Sequence, residues 1–305
     1  MVALSVSHNM SMRKILTQRI LNKLSVIPKK GQHLKMVFLL PINQVLWIWL
    51  QIKKWFRGIH HPIIHYYAVC WNEERMLPWM FAHYEDWVEH FYIYDNCSND
   101  HSKEIVHMHK HAELERYGSD ESFDDWKHVQ IKDNCWKKSR GKADYVIVCD
   151  LDEFLYHPSL ETVLKDAAKR HSSIFRIEGF EMVTDTYPTY KTGKQLIRIV
   201  KEGVANPMMN KCILFDPHQI VEINYSLGAH RCQPCGRVKY HPETLSLLHY
   251  KKLGLDYVLE RYHAYTPRIR EKNKEMDVGW HYLFGDQKTT EDFYNIFTQR
   301  NQVIP

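Results

Sequence analysis

The stretch YVIVCDLDEFLY, residues 145–156, decides the fold of this chain. Its first four residues are apolar, as in a short strand buried within a sheet, and we predict a strand over 144–150. Three carboxylates, Asp150, Asp152 and Glu153, follow this apolar run directly. Acidic residues at the end of a buried strand are typical of α/β proteins, which bind ligands at the carboxyl ends of their strands.

The chain after residue 62 alternates short apolar runs with segments of helical periodicity. This alternation predicts βαβ crossovers and therefore the α/β fold class, with a mainly parallel sheet flanked by helices. The predicted strands are 63–69, 90–95, 128–132, 144–150, 174–183 and 211–216. The predicted helices are 74–88, 102–113, 159–171 and a closing helix near 254–265. Because no linker rich in Pro, Gly or Ser divides 63–305, we interpret this region as one domain.

Charge is distributed unevenly along the chain. Residues 1–62 contain ten Lys or Arg and no Asp or Glu, although the whole chain has 41 basic and 36 acidic residues. The remainder therefore carries 31 basic and 36 acidic residues, which is a net charge of about −5. A locally basic segment of this kind binds an anionic surface, either nucleic acid or membrane phospholipid.

An apolar run inside the basic segment favours a membrane over nucleic acid. Met36–Leu50 reads MVFLLPINQVLWIWL, with Lys35 before it and Lys53, Lys54 and Arg57 after it. A spanning helix needs about 20 apolar residues. We therefore expect residues 1–62 to bind an anionic membrane surface as an interfacial anchor, with tryptophans at headgroup depth and residues 63–305 in the cytoplasm. A helix docked on the protein's own core is the alternative, and a cleaved signal peptide is less favoured.

The cysteines give two further expectations. Seven scattered cysteines are an odd number, which favours a reducing compartment over a disulfide framework. The segment HRCQPCGRVKYH, residues 230–241, is a candidate structural zinc site, although its spacing is not that of a common zinc finger. Its four possible ligands are His230, Cys232, Cys235 and His241.

Asp150 and Asp152 are candidate ligands of a divalent cation. Residues two apart in a strand face the same side, so the two carboxylates can converge where the strand ends. Carboxylate oxygens bind hard cations such as Mg²⁺, which commonly neutralise substrate phosphates as well. Solvated loop acids or helix N-caps are the alternative. Two other polar loops, CWNEE at 70–74 and YDNCSND at 94–100, are predicted to open onto the same crevice.

These motifs resemble those of the GT-A glycosyltransferases of the family 2-like and family 92-like groups. The resemblance spans about residues 65–260 and rests on four motifs in order. They are Asn-Glu at 72–73, Asp-Asn-x-Ser-x-Asp at 95–100, Asp-x-Asp-Glu-Phe at 150–154 and His-Tyr at 249–250. The resemblance implies a GT-A fold, a nucleotide-diphosphate sugar as donor, and Mn²⁺ or Mg²⁺ as cofactor.

The resemblance also implies roles for single residues. It places Asp150, Asp152 and His249 at the metal, with Asp152 the more direct ligand, and leaves Glu153 without a role. The residues that it places on loops around the donor nucleoside are Asn72, Glu73, Asp95 and Asn96. The resemblance counts Asp150 among the donor-binding residues as well. Breaking the sugar–phosphate bond leaves a diphosphate whose growing negative charge can be stabilised by a metal with one or two basic residues. The candidates are Arg140, Lys211 and Lys251, with ordinary surface cations as the alternative.

The sequence also contains candidates for a catalytic base. An inverting transfer needs a carboxylate or histidine within reach of the acceptor hydroxyl, whereas a retaining mechanism needs no such base. Glu181 and Asp185 in GFEMVTDTY and His230 in GAHRC lie in the segment that builds the acceptor side of such folds.

The function predicted from the sequence is metal-dependent transfer of a hexose from a nucleotide-diphosphate sugar. UDP-sugar is the donor that the resemblance favours, and the acceptor is a glycan or a lipid-linked glycan. The alternatives are a non-catalytic membrane-attached binding module and a metal-dependent phosphotransferase. No glycine-rich phosphate loop or nucleophile elbow is present, so kinase, dinucleotide oxidoreductase and hydrolase chemistry have no support. No nucleic-acid partner is expected.

Overall fold

The computed structural model describes residues 32–118, 122–269, 280–283 and 285–305. Residues 1–31 lie outside the described residues, and with them six of the ten basic residues of the N-terminal segment. The prediction of a basic arm is therefore tested only from residue 32 onward. The division into a segment 1–62 and a domain 63–305 stays a prediction.

One mixed sheet organises the described part of the chain. Four strands form its parallel centre in the spatial order β3-β2-β1-β4: β1 Ile64–Cys70, β2 His90–Asp95, β3 Ala112–Arg116 and β4 Tyr145–Val148. Two long strands, β6 Ile174–Thr184 and β11 Tyr240–Leu253, also pair in parallel. The other strands of the sheet join antiparallel. The predicted α/β class with a mainly parallel sheet is confirmed. The remaining strands of the sheet are β5 Glu153–Tyr156, β7 Glu202–Ala205, β8 Leu214–Phe215 and β12 Asn301–Gln302. Two short strands, β9 Ile220–Glu222 and β10 Cys235–Gly236, form a separate pair.

Helices cover both faces of this sheet, because the side chains of each central strand alternate between two apolar cores. In β1, Tyr66 and Ala68 face one core, whereas Tyr67 faces the other. In β4, Ile147 faces the first core and Val146 the second. Burial on both faces explains why these strands are continuous apolar runs in the sequence. The helices are α1 Gln32–Phe56, α2 Leu77–Tyr84, α3 Ser102–Met108, α4 Asp125–Asn134, α5 Leu160–Arg170, α6 Leu255–Tyr265 and α7 Asp286–Gln299.

Two predicted elements are wrong. The segment 128–132, predicted as the third strand, lies inside α4. Asp124 caps the start of that helix, because its carboxylate accepts a hydrogen bond from the backbone N–H of Lys127. The helix buries Asp125, Val129 and Lys132. The third strand is instead β3, whose first two residues belong to the preceding helix predicted over 102–113 and whose other three were not assigned to an element. β3 is an edge strand, and three of its five residues are exposed.

The apolar run Met36–Leu50 lies within a helix that extends beyond it at both ends. α1 has 25 residues and contains Pro41, which lies on its exposed side. Lys35–Phe56, 22 residues, is long and apolar enough to cross a membrane by length and composition, as a signal sequence near an N-terminus would also be. One side of α1 packs on the domain, where Leu50 contacts a small core of Ile63 and Ala143.

Candidate functional site

The main cleft lies at the carboxyl ends of the parallel strands, where the sequence predicts it. Its volume is about 520 Å³. The end of β1 contributes Trp71 and Glu73, and the turn after β4 contributes residues 150–153. β6 and β11 supply Glu181 and His249, which are paired in the sheet register. Helices α4 and α6 close the sides.

The acidic motif forms a tight turn between β4 and β5 rather than the end of a strand. β4 ends at Val148, so the two-residue alternation of a strand does not apply to Asp150 and Asp152. The backbone N–H of Asp150 donates a hydrogen bond to the Glu153 carboxylate at 3.1 Å, which closes the turn. Glu153, 1% exposed, also pairs with the ammonium of Lys211. Glu153 therefore has a structural role that the sequence did not assign.

Two lysines hold the carboxylate of Asp150. Lys132 Nζ lies 2.6 Å from Oδ1, and Lys211 Nζ lies 3.4 Å from Oδ2. Burial would raise the pKa of Asp150, but these two ammonium groups outweigh it and hold the pKa well below the usual range. Lys211 is 4% exposed, and although burial lowers its pKa, Glu153 and Asp150 raise it further. Asp150 is thus an ionised group that already has two cationic partners.

Asp152 faces a histidine instead. Its Oδ2 lies 3.5 Å from His249 Nε2, and His249 Nδ1 lies 3.0 Å from Glu181 Oε2. Burial would raise the pKa of Asp152, but the imidazole of His249 lowers it to about 2. Burial lowers the pKa of His249, and the carboxylates of Glu181 and Asp152 outweigh this effect and raise it to about 10. The three side chains form a buried charged chain along one wall of the cleft.

This geometry partly fits the predicted metal ligands. Within the described residues, no group of three or more His, Cys, Asp and Glu side chains is arranged to hold a metal. Asp150, Asp152 and His249 therefore do not converge as three ligands, since both Asp150 oxygens contact lysines, and metal binding by these residues stays a prediction. Asp152 and His249 remain as a pair whose facing atoms are 3.5 Å apart. Metal-bound histidines commonly donate their second ring N–H to a carboxylate, as His249 can do to Glu181.

Basic residues surround the acidic turn. Of the three predicted cations, Lys211 and Lys251 line the cleft. Lys251 Nζ lies 3.1 Å from the Tyr282 hydroxyl and 4.5 Å from the centre of its ring. Arg140 is elsewhere: it lies over the Trp136 ring and donates to the carbonyls of Pro217, Ile220 and Val221. Arg140 therefore lies outside the cleft lining, and the structure does not bring it to the other predicted donor residues, so its contact with a donor stays a prediction.

The predicted nucleoside loops are placed less uniformly. Glu73 lines the cleft and pairs with Arg261 of α6. Asn72 does not line the cleft; it adopts a positive φ of 50° and exchanges hydrogen bonds with Asn99. Asp95, 1% exposed, accepts from the backbone N–H of Ser98, and Asn96 is likewise buried. These three residues shape the two loops beside the cleft, and their contact with a donor stays a prediction.

The three candidates for a catalytic base differ in position. Asp185 is exposed and lines a separate cavity of about 460 Å³, so the structure does not bring it to the cleft. His230 lines the main cleft, but burial and then the nearby Lys211 lower its pKa to about 3, which makes it a poor base at neutral pH. Glu181 lines the cleft with its Oε2 directed at His249. Glu181 is therefore placed to position that imidazole.

The zinc prediction is wrong. Its four candidate ligands all lie in the described part of the chain, where no metal-binding group of this kind occurs. His230 Nδ1 contacts the carbonyl of Met208 at 2.9 Å, and His241 contacts Asp166 instead. No disulfide joins any of the seven cysteines.

Several residues of the cleft were missed from the sequence. Lys132 was missed because the segment 128–132 was predicted as a strand, whereas it belongs to α4, which places Lys132 beside Asp150. Arg261 lies on the predicted closing helix, and none of the four motifs of the resemblance includes it. The aromatic lining was also missed, although the density of tyrosine after residue 254 was a visible signal. Its members are Trp71, Phe123, Tyr257, Tyr262, Tyr265 and Tyr282.

Gly179 fixes the position of the 206–210 segment, which forms part of the cleft wall. The backbone of Gly179 in β6 exchanges hydrogen bonds with Asn206 and Asn210 at 2.8 Å each. A Cβ atom at residue 179 would lie 2.2 Å from the Cβ of Met209. This segment carries Asn206, Met208 and Met209 into the cleft lining, and Lys211 follows directly. Gly179 therefore permits the close approach of the 206–210 segment to the sheet.

The fold and the cleft define an α/β protein with a charged ligand site at the carboxyl edge of its sheet. The glycosyltransferase family 92 model matches residues 64–280, and the chain belongs to this family. A glycosyltransferase family 92 protein of Oryza sativa subsp. japonica is 28% identical over 156 residues, which cover 50% of this chain and 25% of the relative. The chain thus spans about a quarter of the length of that curated relative.

Solved structures give a more distant likeness. The crystal structure of S. aureus TarS 1–349 is similar with a TM-score of 0.39 and 9% identity, covering 68% of this chain and 65% of that one. The structure of the same protein in complex with UDP-GlcNAc has a TM-score of 0.41 and 10% identity, covering 68% and 66%.

Proposed function

We propose that this protein is a glycosyltransferase that moves a hexose from a nucleotide-diphosphate sugar to a glycan or glycolipid acceptor. The observation that carries the proposal is the pair of Asp152 and His249, which face each other at 3.5 Å on the wall of a cleft rich in cations. Membership of glycosyltransferase family 92 supports this reaction. A UDP-sugar is the donor that the resemblance implies.

Asp152 and His249 would hold the Mn²⁺ or Mg²⁺ ion that the resemblance implies. Such ions are often bound by one or two protein side chains, with substrate phosphates and water as the other ligands. When bound, the cation would neutralise the growing negative charge of the leaving diphosphate. Glu181 would fix the orientation of His249 through its Nδ1 atom, at 3.0 Å.

Other side chains of the cleft would act on the donor directly. Lys211 and Lys132 place two ammonium groups beside the acidic turn, and both are nearly buried. Charges in such a partly desolvated site act more strongly on a phosphate than they would in water. Lys251 also lines the cleft and lies among tyrosine rings. Tyrosine rings provide apolar faces with polar tips, which suit a sugar or a base.

The proposal is tested by titrating UDP into the protein by calorimetry with and without Mn²⁺. We expect Mn²⁺ to strengthen UDP binding to the wild type, and the Asp152→Ala variant to lose that gain. Asp185→Ala is the matched control, because Asp185 is exposed and lies outside the cleft. UDP binding that is absent, or that Mn²⁺ leaves unchanged, would overturn the donor and metal parts of the proposal.

A screen of nucleotide sugars that follows nucleotide release would then identify the donor and test catalysis itself. A protein that binds UDP but releases none in the presence of sugar acceptors would be a binding module. Transfer of a phosphoryl group instead of a sugar would identify a phosphotransferase. Either result would replace the proposed reaction while leaving the binding site intact.

We further propose that residues 1–62 attach the protein to an anionic membrane surface on the cytoplasmic side. The apolar helix α1 and the basic residues around it support this attachment. Co-sedimentation of the full chain with vesicles that contain phosphatidylglycerol tests it. Binding that is absent, or that is equal for purely zwitterionic vesicles, would contradict the electrostatic attachment without affecting the proposed reaction.

A further inference from the structure

One side of α1 is an exposed apolar face. Side chains at 38, 42, 45, 49, 52 and 56 recur every three or four residues, which places them along one side of a helix. Trp55 and Phe56 are 71% and 76% exposed. Apolar surface of this extent marks a site of contact with a membrane or a partner. We call it the α1 apolar face, and it consists of Val37, Phe38, Ile42, Val45, Ile48, Trp49, Ile52, Trp55 and Phe56.

The other side of α1 contacts the domain along almost the whole helix. Near its start, Lys35 Nζ lies 3.2 Å from Glu222. In its middle, Gln44 contacts Arg237 at 3.2 Å, and Leu46 packs over Gly141. Near its end, Gln51 and Lys54 bind the two carboxylate oxygens of Asp144 at 2.8 and 2.6 Å. The helix is therefore fixed against the domain.

These contacts are incompatible with a helix that crosses a bilayer while docked. From Lys35 to Lys54 the helix rises about 28 Å at 1.5 Å per residue. The hydrocarbon core of a bilayer is about 30 Å thick. A spanning α1 would therefore carry Glu222, Arg237 and Asp144 into the hydrocarbon at every depth. Burying these charged side chains, and the irregular backbone around them, in lipid is strongly unfavourable.

The docked helix lies at one particular edge of the sheet. Its partners next to the main sheet precede strands: Ile63 precedes β1, residues 141–144 precede β4, and His171, whose ring contacts Trp47, precedes β6. α1 thus lies across the amino ends of the parallel strands. The cleft opens at the carboxyl ends of the same strands, on the far side of the sheet.

We propose that α1 lies in the plane of the bilayer surface with its apolar face in the lipid, so that the amino edge of the sheet faces the membrane and the cleft faces water. This orientation rests on the membrane attachment proposed above and specifies its geometry. Lys35, Lys53 and Arg57 are exposed at the two ends of α1, where they would meet anionic headgroups. Residues 1–62 contain no acidic residue that would oppose this contact.

Hydroxyl-radical footprinting tests the orientation on the unmodified full chain. The protein is oxidised alone and on phosphatidylcholine vesicles that contain phosphatidylglycerol. We expect oxidation of Trp49, Trp55 and Phe56 to fall several-fold on vesicles. Met208 lines the cleft and is 55% exposed, so its oxidation should not change. Protection of Met208 together with the helix would overturn the proposed orientation.

Zero-length carbodiimide cross-linking tests whether α1 stays docked. The salt bridge between Lys35 and Glu222 should give an amide cross-link in both the free and the vesicle-bound protein. Lys137 pairs with the same Glu222 from within the domain, so its cross-link is an internal control that does not depend on α1. Loss of the Lys35 cross-link on vesicles, with the Lys137 cross-link retained, would show that α1 leaves the domain and would overturn the in-plane arrangement.

Two variants separate the lipid from a second copy of the chain as the occupant of the face. Val45→Asp should lose several-fold in vesicle binding, whereas Ile199→Asp should not, because Ile199 is an exposed apolar residue of the other cavity. Both variants should keep the unfolding midpoint of the wild type, since neither side chain is buried. If the wild type is a dimer without lipid and Val45→Asp makes it monomeric, the face is a protein interface and the proposal fails.

Discussion

Glu181 holds the imidazole of His249 through Nδ1 at 3.0 Å, and this contact turns Nε2 towards Asp152. The two residues are neighbours across the β6–β11 ladder, so the sheet register fixes their separation. A carboxylate that orients a metal-binding histidine commonly changes metal affinity more than it changes the fold.

The first prediction concerns this contact. Glu181→Gln should lower the affinity for Mn²⁺ in the presence of UDP by about 10- to 100-fold, because the neutral amide orients His249 less strongly. Titration of Mn²⁺ at saturating UDP measures the effect. Glu178→Gln on the same strand is exposed and is the control. An equal change in both variants would assign the effect to the strand rather than to the imidazole.

The second prediction concerns turnover. Asp152→Ala should lower kcat by about 10²- to 10³-fold, the range seen when one group that stabilises developing charge is removed. Nucleotide release from the best donor of the screen measures the rate. Asp185→Ala should retain the wild-type rate if that residue has no catalytic role. A large loss in Asp185→Ala alone would restore Asp185 as the catalytic base.

The third prediction concerns the pH dependence of stability. Burial raises the pKa of Asp125 from 3.8 to about 6, and Lys132 only partly opposes this. Because the folded state keeps this proton up to about pH 6 and the unfolded state releases it near pH 4, ionisation of Asp125 destabilises the fold above pH 6. Asp125→Asn should therefore gain stability relative to the wild type as pH rises from 4 to 6, by up to about 3 kcal/mol.

Urea unfolding at pH 4.5 and pH 7.5 measures this difference. The exposed Asp86→Asn variant is the control for a general effect of removing one negative charge. The same gain for Asp125→Asn at both pH values would show that its proton is not linked to folding.

The fourth prediction concerns the anchor of α1. Asp144 accepts hydrogen bonds from Lys54, Gln51 and the backbone of Ile63. Asp144→Ala leaves the ammonium of Lys54 buried without its partner, so we expect a loss of about 3 to 5 kcal/mol in the free energy of unfolding. We also expect faster proteolysis between α1 and β1. Glu161→Ala, which breaks an exposed pair with Lys165, should cost less than about 0.5 kcal/mol and is the control.

The parallel centre of the sheet could be predicted from the sequence because its strands are buried on both faces. Val146 and Ile147 point to opposite cores, and both have to be apolar. β3 gives a weaker signal, since only Ala112 and Leu114 of this short edge strand are apolar, alternating with Glu113 and Glu115, and both are only partly buried. The error in α4 has the opposite cause: it buries the charged Asp125 and Lys132 at helical spacing, so a search for apolar periodicity overlooks it.

The residues of the site were likewise only partly predictable from the sequence. Local motifs correctly located Asp152 and His249 in one cleft, because each follows or lies within a strand of the parallel sheet. The partners of Asp150 could not be predicted. Lys132 and Lys211 come from a helix and a loop that are 79 residues apart in the sequence, and only the fold brings them together. A local sequence motif thus predicts where the site lies. The charged partners of the motif's side chains depend on tertiary structure and cannot be predicted in this way.

The close approach at Gly179 bears on how the cleft can vary between related proteins. A side chain at residue 179 would collide with Met209, although neither backbone segment is itself a predicted ligand. The width of this wall, and the reach of Lys211 beside it, are therefore set by the backbone of β6. A side chain at position 179 should therefore push the 206–210 segment away from β6 and change the shape of the cleft without replacing any residue that lines it.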